Sequence, residues 1–105
     1  MKILIHHIYE YNKGLRNLVL YTMNIADKEK VKKILESKDI SYYFTKINSE
    51  KVNLFFGDDV CIKIIESFGG KCLSEYTDEE DFMLGTMLGY DRIQQCERYV
   101  RRKKF

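Results

Sequence analysis

The chain has 105 residues, enough for one domain with one modest core and too few for two. Hydrophobic residues make up 45% and charged residues 32%, and eight tyrosines with six phenylalanines supply large apolar surfaces, which excludes a disordered chain. Eighteen basic residues against sixteen acidic ones leave a formal charge of +2, too small by itself to point to nucleic acid or to a membrane surface.

Three cysteines, Cys61, Cys72 and Cys96, are an odd set with no close pair and none of the spacings of a zinc or redox motif, so they read as reduced thiols. The apolar opening Met1–Ile8 carries one lysine and no small-residue cleavage pattern, and no apolar run approaches the roughly 18 residues of a spanning helix. The expectation is a soluble cytoplasmic protein without a membrane association. No proline, linker, repeat or low-complexity stretch divides the chain, so residues 1–105 are expected to form a single domain.

In chain order, Leu18–Met23 is apolar on both faces and reads as a strand covered on two sides. Asp27 offers an N-cap to a helix with Val31, Ile34 and Leu35 on one stripe, ending near Ser37. Tyr42–Ile47 and Val52–Phe56 are two β-prone runs joined by the polar Asn48, Ser49, Glu50 and Lys51, a hairpin. Gly57 and Asp58 close the second run, and Val60, Cys61, Ile64, Ile65 and Phe68 repeat at helical spacing until Gly69 and Gly70 stop them. Thr77 with Glu80 forms a capping box before a helix whose apolar face is Phe82, Met83, Met87 and Leu88, ended by Gly89. Asp91 with Gln94 opens a last helix, with Ile93, Cys96 and Val100 expected inward, so the C-terminal third is all helical.

The order strand, helix, strand, strand, helix is an incomplete ferredoxin-like unit, in which a right-handed crossover sets the first strand beside the third. This predicts an α+β fold on a three-stranded mixed sheet with one edge open. Met1–Ile5 as a fourth strand, a helix, or a second copy of the chain can fill that edge.

The words HHIYEYNKGLRNLVLYTM, VNLFFGD and TDEEDFMLGTMLGYDRIQQCERY are spread nearly from end to end of the chain. They resemble a small bacterial family of domains of unknown function, the one numbered two thousand and twenty-three. The resemblance implies three strands, about five helices and a homodimer, and it implies no activity or functional residue. It also suggests that His6–Lys13 is a short helix ended by Gly14. Members of the family look to be encoded beside flavodoxins.

Among candidate sites, His6, His7, Tyr9 and Glu10 combine imidazoles with a carboxylate able to bind metal or move protons near neutral pH, with Arg16 nearby. Adjacent histidines diverge and would need ligands from elsewhere to chelate, so the plainer reading is a hydrogen-bonded histidine beside a dimer seam. Tyr90 and Arg92, with Gln94, Gln95 and Glu97, gather polar groups at a helix start, where the alternative is capping plus a solvated face. Arg98, Arg101, Arg102, Lys103 and Lys104 make a basic end facing the acidic run Glu75, Asp78, Glu79, Glu80 and Asp81, a complementarity that would act between subunits. A frayed terminus, an acidic protein partner such as a flavodoxin, and nucleic acid are the readings of that end, the last weakest because no second basic patch accompanies it. No motif names a catalytic residue, a metal or a cofactor. The expected function is a non-catalytic homodimeric protein-interaction or regulatory module. The alternative is a small-ligand-binding protein or enzyme using a cleft of His6, His7, Tyr9 and Arg16.

Overall fold

The structure, a computed structural model, describes residues 2–105, and Met1 lies outside the described residues. In chain order the elements are α1 (Lys2–Asn12), β1 (Leu18–Asn24), α2 (Lys28–Ser37), β2 (Ser41–Lys46), β3 (Lys51–Gly57), α3 (Asp59–Ser67), α4 (Asp78–Met87) and α5 (Arg92–Lys103). The strand order is β1-β3-β2, with the first strand beside the third. Both ladders are antiparallel and run without a bulge, Leu18–Asn24 against Gly57–Lys51 and Ser41–Lys46 against Gly57–Val52. The sheet is therefore antiparallel rather than mixed: β1 and β2 run the same way, but β3 lies between them and they never touch.

Alternation along the strands divides the core in two. Val19, Met23, Val52, Leu54 and Phe56 point to one face, where Leu4 and Ile8 of α1 and Val31 and Leu35 of α2 cover them. Leu18 and Phe55 point to the other, against Ile62 and Ile65 of α3 and Leu84 of α4. This explains why Leu18–Met23 is apolar on both faces. Phe55 and Phe56 are fully buried, and burial of each such side chain contributes roughly 1.5–3 kcal/mol.

The N-terminal segment is a helix from Lys2 onward, longer than His6–Lys13 and not a fourth strand. Leu4, Ile8 and Tyr11 recur at helical spacing, which brings Leu4 and Ile8 into the core and lets the Tyr11 hydroxyl donate to Asp58 Oδ1 at 3.0 Å. Asp27 precedes α2 as expected, but its side chain makes no capping hydrogen bond. Gly57 is required where β3 turns into α3. Its φ is +150°, and a Cβ there would stand 2.2 Å from the Asn17 carbonyl oxygen, which the Asp58 amide approaches to 2.9 Å.

The C-terminal helices depart most from expectation. The Thr77 box forms as expected, Thr77 Oγ1 accepting from the Glu80 amide at 3.1 Å and the Thr77 amide donating to Glu80 Oε1 at 2.8 Å. Asp91 caps α5 by accepting from the Gln94 amide at 2.9 Å. The buried residues of α4 are Leu84 and Gly85, while Met83 is 39% exposed. No residue of α5 is buried, and Ile93 and Val100, expected inward, are 65% and 44% exposed. Helical periodicity correctly placed them on one stripe, but α4 contacts another side of the helix. The extents are 45 × 33 × 23 Å and the radius of gyration is 14.2 Å, against about 13 Å for a compact domain of this length.

Candidate functional site

The α1 face carries the first cluster. Glu10 Oε1 lies 3.8 Å from His6 Nε2, 3.6 Å from His7 Nδ1 and 3.7 Å from Arg16 Nη1. Positions six, seven and ten sit within one turn of the helix, and the loop after Asn12 folds Arg16 back onto them. Arg16 Nη1 lies 3.3 Å from His7 Nδ1, a contact in which the guanidinium can only be the donor. The His7 ring stands edge-on to Tyr21 of β1, with centroids 5.7 Å apart. His6, His7 and Arg16 therefore converge on Glu10. Tyr9 does not join them: it is 56% exposed on another side of α1, with Lys13 Nζ 5.5 Å from its ring. The cluster is nearly charge-balanced, because Glu10 already answers Arg16, and this leaves little attraction for an anion. Among the described residues no three or more His, Cys, Asp or Glu are arranged to hold a metal ion.

Tyr90 and Arg92 do not form a joint site. Tyr90 is 55% exposed and lines a small cavity of about 200 Å³ with Leu84, Gln95 and Arg98, while Arg92 opens α5 on the exterior. The Tyr90 amide donates to the Gly85 carbonyl at 3.1 Å, so the segment mainly turns the chain from α4 into α5.

The basic end meets the acidic run within one chain. Arg98 grips Asp81 through Nε at 2.8 Å and Nη2 at 3.1 Å. Arg102 reaches Asp78 at 2.9 Å and Asp81 at 3.0 Å, and Lys103 reaches Glu79 at 2.7 Å. The Arg98 guanidinium holds the Asp81 carboxyl below its ordinary value against the opposing effect of burial. Lys103, helped by the Tyr99 hydroxyl at 2.8 Å, holds Glu79 down at about 2. The antiparallel helix hairpin dictates this pairing, since it lays the end of α5 beside the start of α4. The complementarity expected between subunits is thus largely used inside the chain. Arg101 and Lys104 make no ion pair among the described residues and are exposed.

Beside those ion pairs lies a feature that sequence reasoning missed. Phe82 and Met83 of α4 with Cys96, Tyr99 and Val100 of α5 line an apolar cleft of about 410 Å³. Phe82 and Tyr99 pack with centroids 5.6 Å apart, and Phe105, 84% exposed, stands 5.9 Å from Tyr99. The signal was present as three- and four-residue spacing of apolar side chains on both helices, but only the hairpin joins the two stripes.

No curated protein matches the chain. The chain belongs to the family described as protein of unknown function (DUF2023), whose model matches residues 2–102.

Proposed function

We propose that the chain is a non-catalytic interaction module that works as a homodimer and offers the outer face of α5 to an acidic protein, of which a flavodoxin is the type. The observation that carries this reading is that twelve-residue α5 has no buried residue, although Ile93, Cys96 and Val100 give it an apolar stripe. Soluble chains rarely leave such a stripe beside an apolar cleft without a use for it. Arg101 and Lys104 border the stripe and carry charges that no ion pair among the described residues answers, so the surface suits a partner with apolar and acidic groups together.

The test is association with a purified flavodoxin, measured by biolayer interferometry at low salt and at roughly 0.5 M salt, where exposed charges are screened within a few Å. The wild-type chain is expected to bind weakly and lose binding in high salt. Arg101→Glu with Lys104→Glu is expected to abolish binding with the fold intact. Arg102 is the wrong residue to reverse, because it holds the hairpin together through Asp78 and Asp81. Equal binding by wild type and double variant at low salt would refute the reading.

One observation favours a second reading, a small-ligand site on α1: His6, His7 and Arg16 do converge on Glu10. It ranks below the first because Tyr9 is absent from the cluster and Arg16 is already answered by Glu10.

A further inference from the structure

Strand β1 has one neighbour, β3. Asn17 O accepts from the Asp58 amide at 2.9 Å, and the Ile25 amide donates to Glu50 O at 2.8 Å. Antiparallel ladders alternate bonded and non-bonded pairs, so the odd-numbered residues of β1 bond to β3. The N–H and C=O groups of Leu18, Leu20, Thr22 and Asn24 therefore point away from the sheet. Leu18 is fully buried by its own chain, Leu20 is half-buried, and Thr22 and Asn24 are exposed.

Sheet edges are ordinarily guarded by charges, prolines or bulges. LVLYTMN has no charge and no proline, and its ladder has no bulge. The other edge, β2, is guarded: Lys46 ends it, Lys28 Nζ sits 5.2 Å from the Phe44 ring, and Glu36 and Asp59 hold the hydroxyls of Tyr42 and Ser41. The N-terminal segment that might have closed the β1 edge is α1 instead.

We infer that β1 is the seam of the homodimer, pairing antiparallel with β1 of a second copy to make one continuous six-stranded sheet; this rests on the homodimeric reading above. A second copy suits the edge because an uncharged strand is complementary to itself. Two-fold pairing sets no like charges opposite one another there, and an acidic or basic segment would find no counter-charge on the strand. The bonding parity allows only registers that pair even-numbered residues. With Leu18 buried by its own chain, the register that engages the open groups of Leu20, Thr22 and Asn24 with one another places Thr22 opposite its own copy and Leu20 opposite Asn24, with Tyr21 against Met23 on the other face. Because His7 packs on Tyr21, this pairing sets the His7–Glu10–Arg16 clusters of both copies on the same side of the sheet flanking the two-fold axis. A cleft there would be complete only in the dimer.

Amide hydrogen exchange and sedimentation equilibrium of the full chain test the inference. In dimeric protein the Leu20 and Thr22 amides are expected to be as protected as those of Tyr21 and Met23, and to lose that protection on dilution to monomer. Thr22→Pro removes an outward donor while sparing the β3 ladder and is expected to sediment as a monomer. Asn24→Pro, at a residue whose φ of −73° suits proline, is expected to weaken the dimer without strain. Monomer mass for the wild type at all concentrations would overturn both the inference and the homodimeric reading. Dimer mass with unprotected Leu20 and Thr22 amides would overturn the inference alone and place the seam elsewhere. Protection that arises only on adding another protein would also overturn it, in favour of an extended peptide partner. Should Thr22→Pro fail to fold, the wild-type amides decide the matter.

Discussion

Replacing Asp81 by Asn should loosen α5 while leaving the sheet in place. One carboxylate accepts two hydrogen bonds from Arg98 and one contact from Arg102, and α5 has no buried side chain to hold it otherwise. The carboxylate is 24% exposed, so solvent screens each contact to the about 0.2–1 kcal/mol of a surface pair. Three contacts through one group, with the neutral amide retaining part of them, put the loss at about 1–2 kcal/mol. A change of that size raises the open population of α5 about 5- to 30-fold. Amide exchange should therefore quicken by that factor from Gln95 to Lys103, with the amides of β3 unchanged, because opening α5 uncovers little of the core. Unchanged exchange in α5 would refute the reasoning. Acceleration spread equally over β3 would refute it differently, by showing that α5 and the sheet open as one unit.

Two glycine substitutions should part company in thermal unfolding. Gly57→Ala places a methyl 2.2 Å from a backbone oxygen at φ +150° and should cost at least about 3 kcal/mol. Gly85→Ala meets the movable end of Gln95 at 2.0 Å and gains up to about 1 kcal/mol of helix propensity, so it should be near neutral. Acid should release α5 before it unfolds the sheet. The folded pKa values of Glu79 and Asp81 lie below their unfolded values, so their contribution is complete above pH 4.5 and is lost as pH falls toward about 2 for Glu79; α5 amide signals followed through that window read it. Tyr76, pushed up to about 12 chiefly by burial, should be missing from the tyrosinate absorbance that rises near pH 10, and its Phe variant should leave that early rise unaltered.

Much of the fold was legible because local period and burial agree. Leu18–Met23 is apolar at every position but Thr22, as suits a strand covered on both sides, and the structure covers it with α1 and α2 on one face and α3 and α4 on the other. The N-terminal segment was harder. Met1–Ile5 is short and apolar, and such a run fits a strand as well as the first turn of a helix. The residue that decides is Leu4, whose helical neighbours Ile8 and Tyr11 lie beyond the segment and reach the same core. The direction of the sheet turned on β3 lying between β1 and β2, a relation between strands that no single strand states.

The candidate sites divide along the same physical line. Spacing alone puts Glu10 within reach of His6 and His7, because one helical turn fixes their distances, and the structure places all three together. Arg16 arrives through a loop, and Tyr9 points away because one residue along a helix is a rotation of about 100°. The apolar stripe of α5 was legible as a stripe, yet its direction was not, since period says which residues share a face and nothing about what covers it. The charges supply that direction. Arg98 and Arg102 must meet Asp81 and Asp78 once the chain reverses at Gly89 and Tyr90, and these arginines turn one side of α5 toward α4. Ile93 and Val100 are then turned outward by the ion pairs themselves, so the electrostatics that fasten the hairpin also leave its apolar stripe facing solvent.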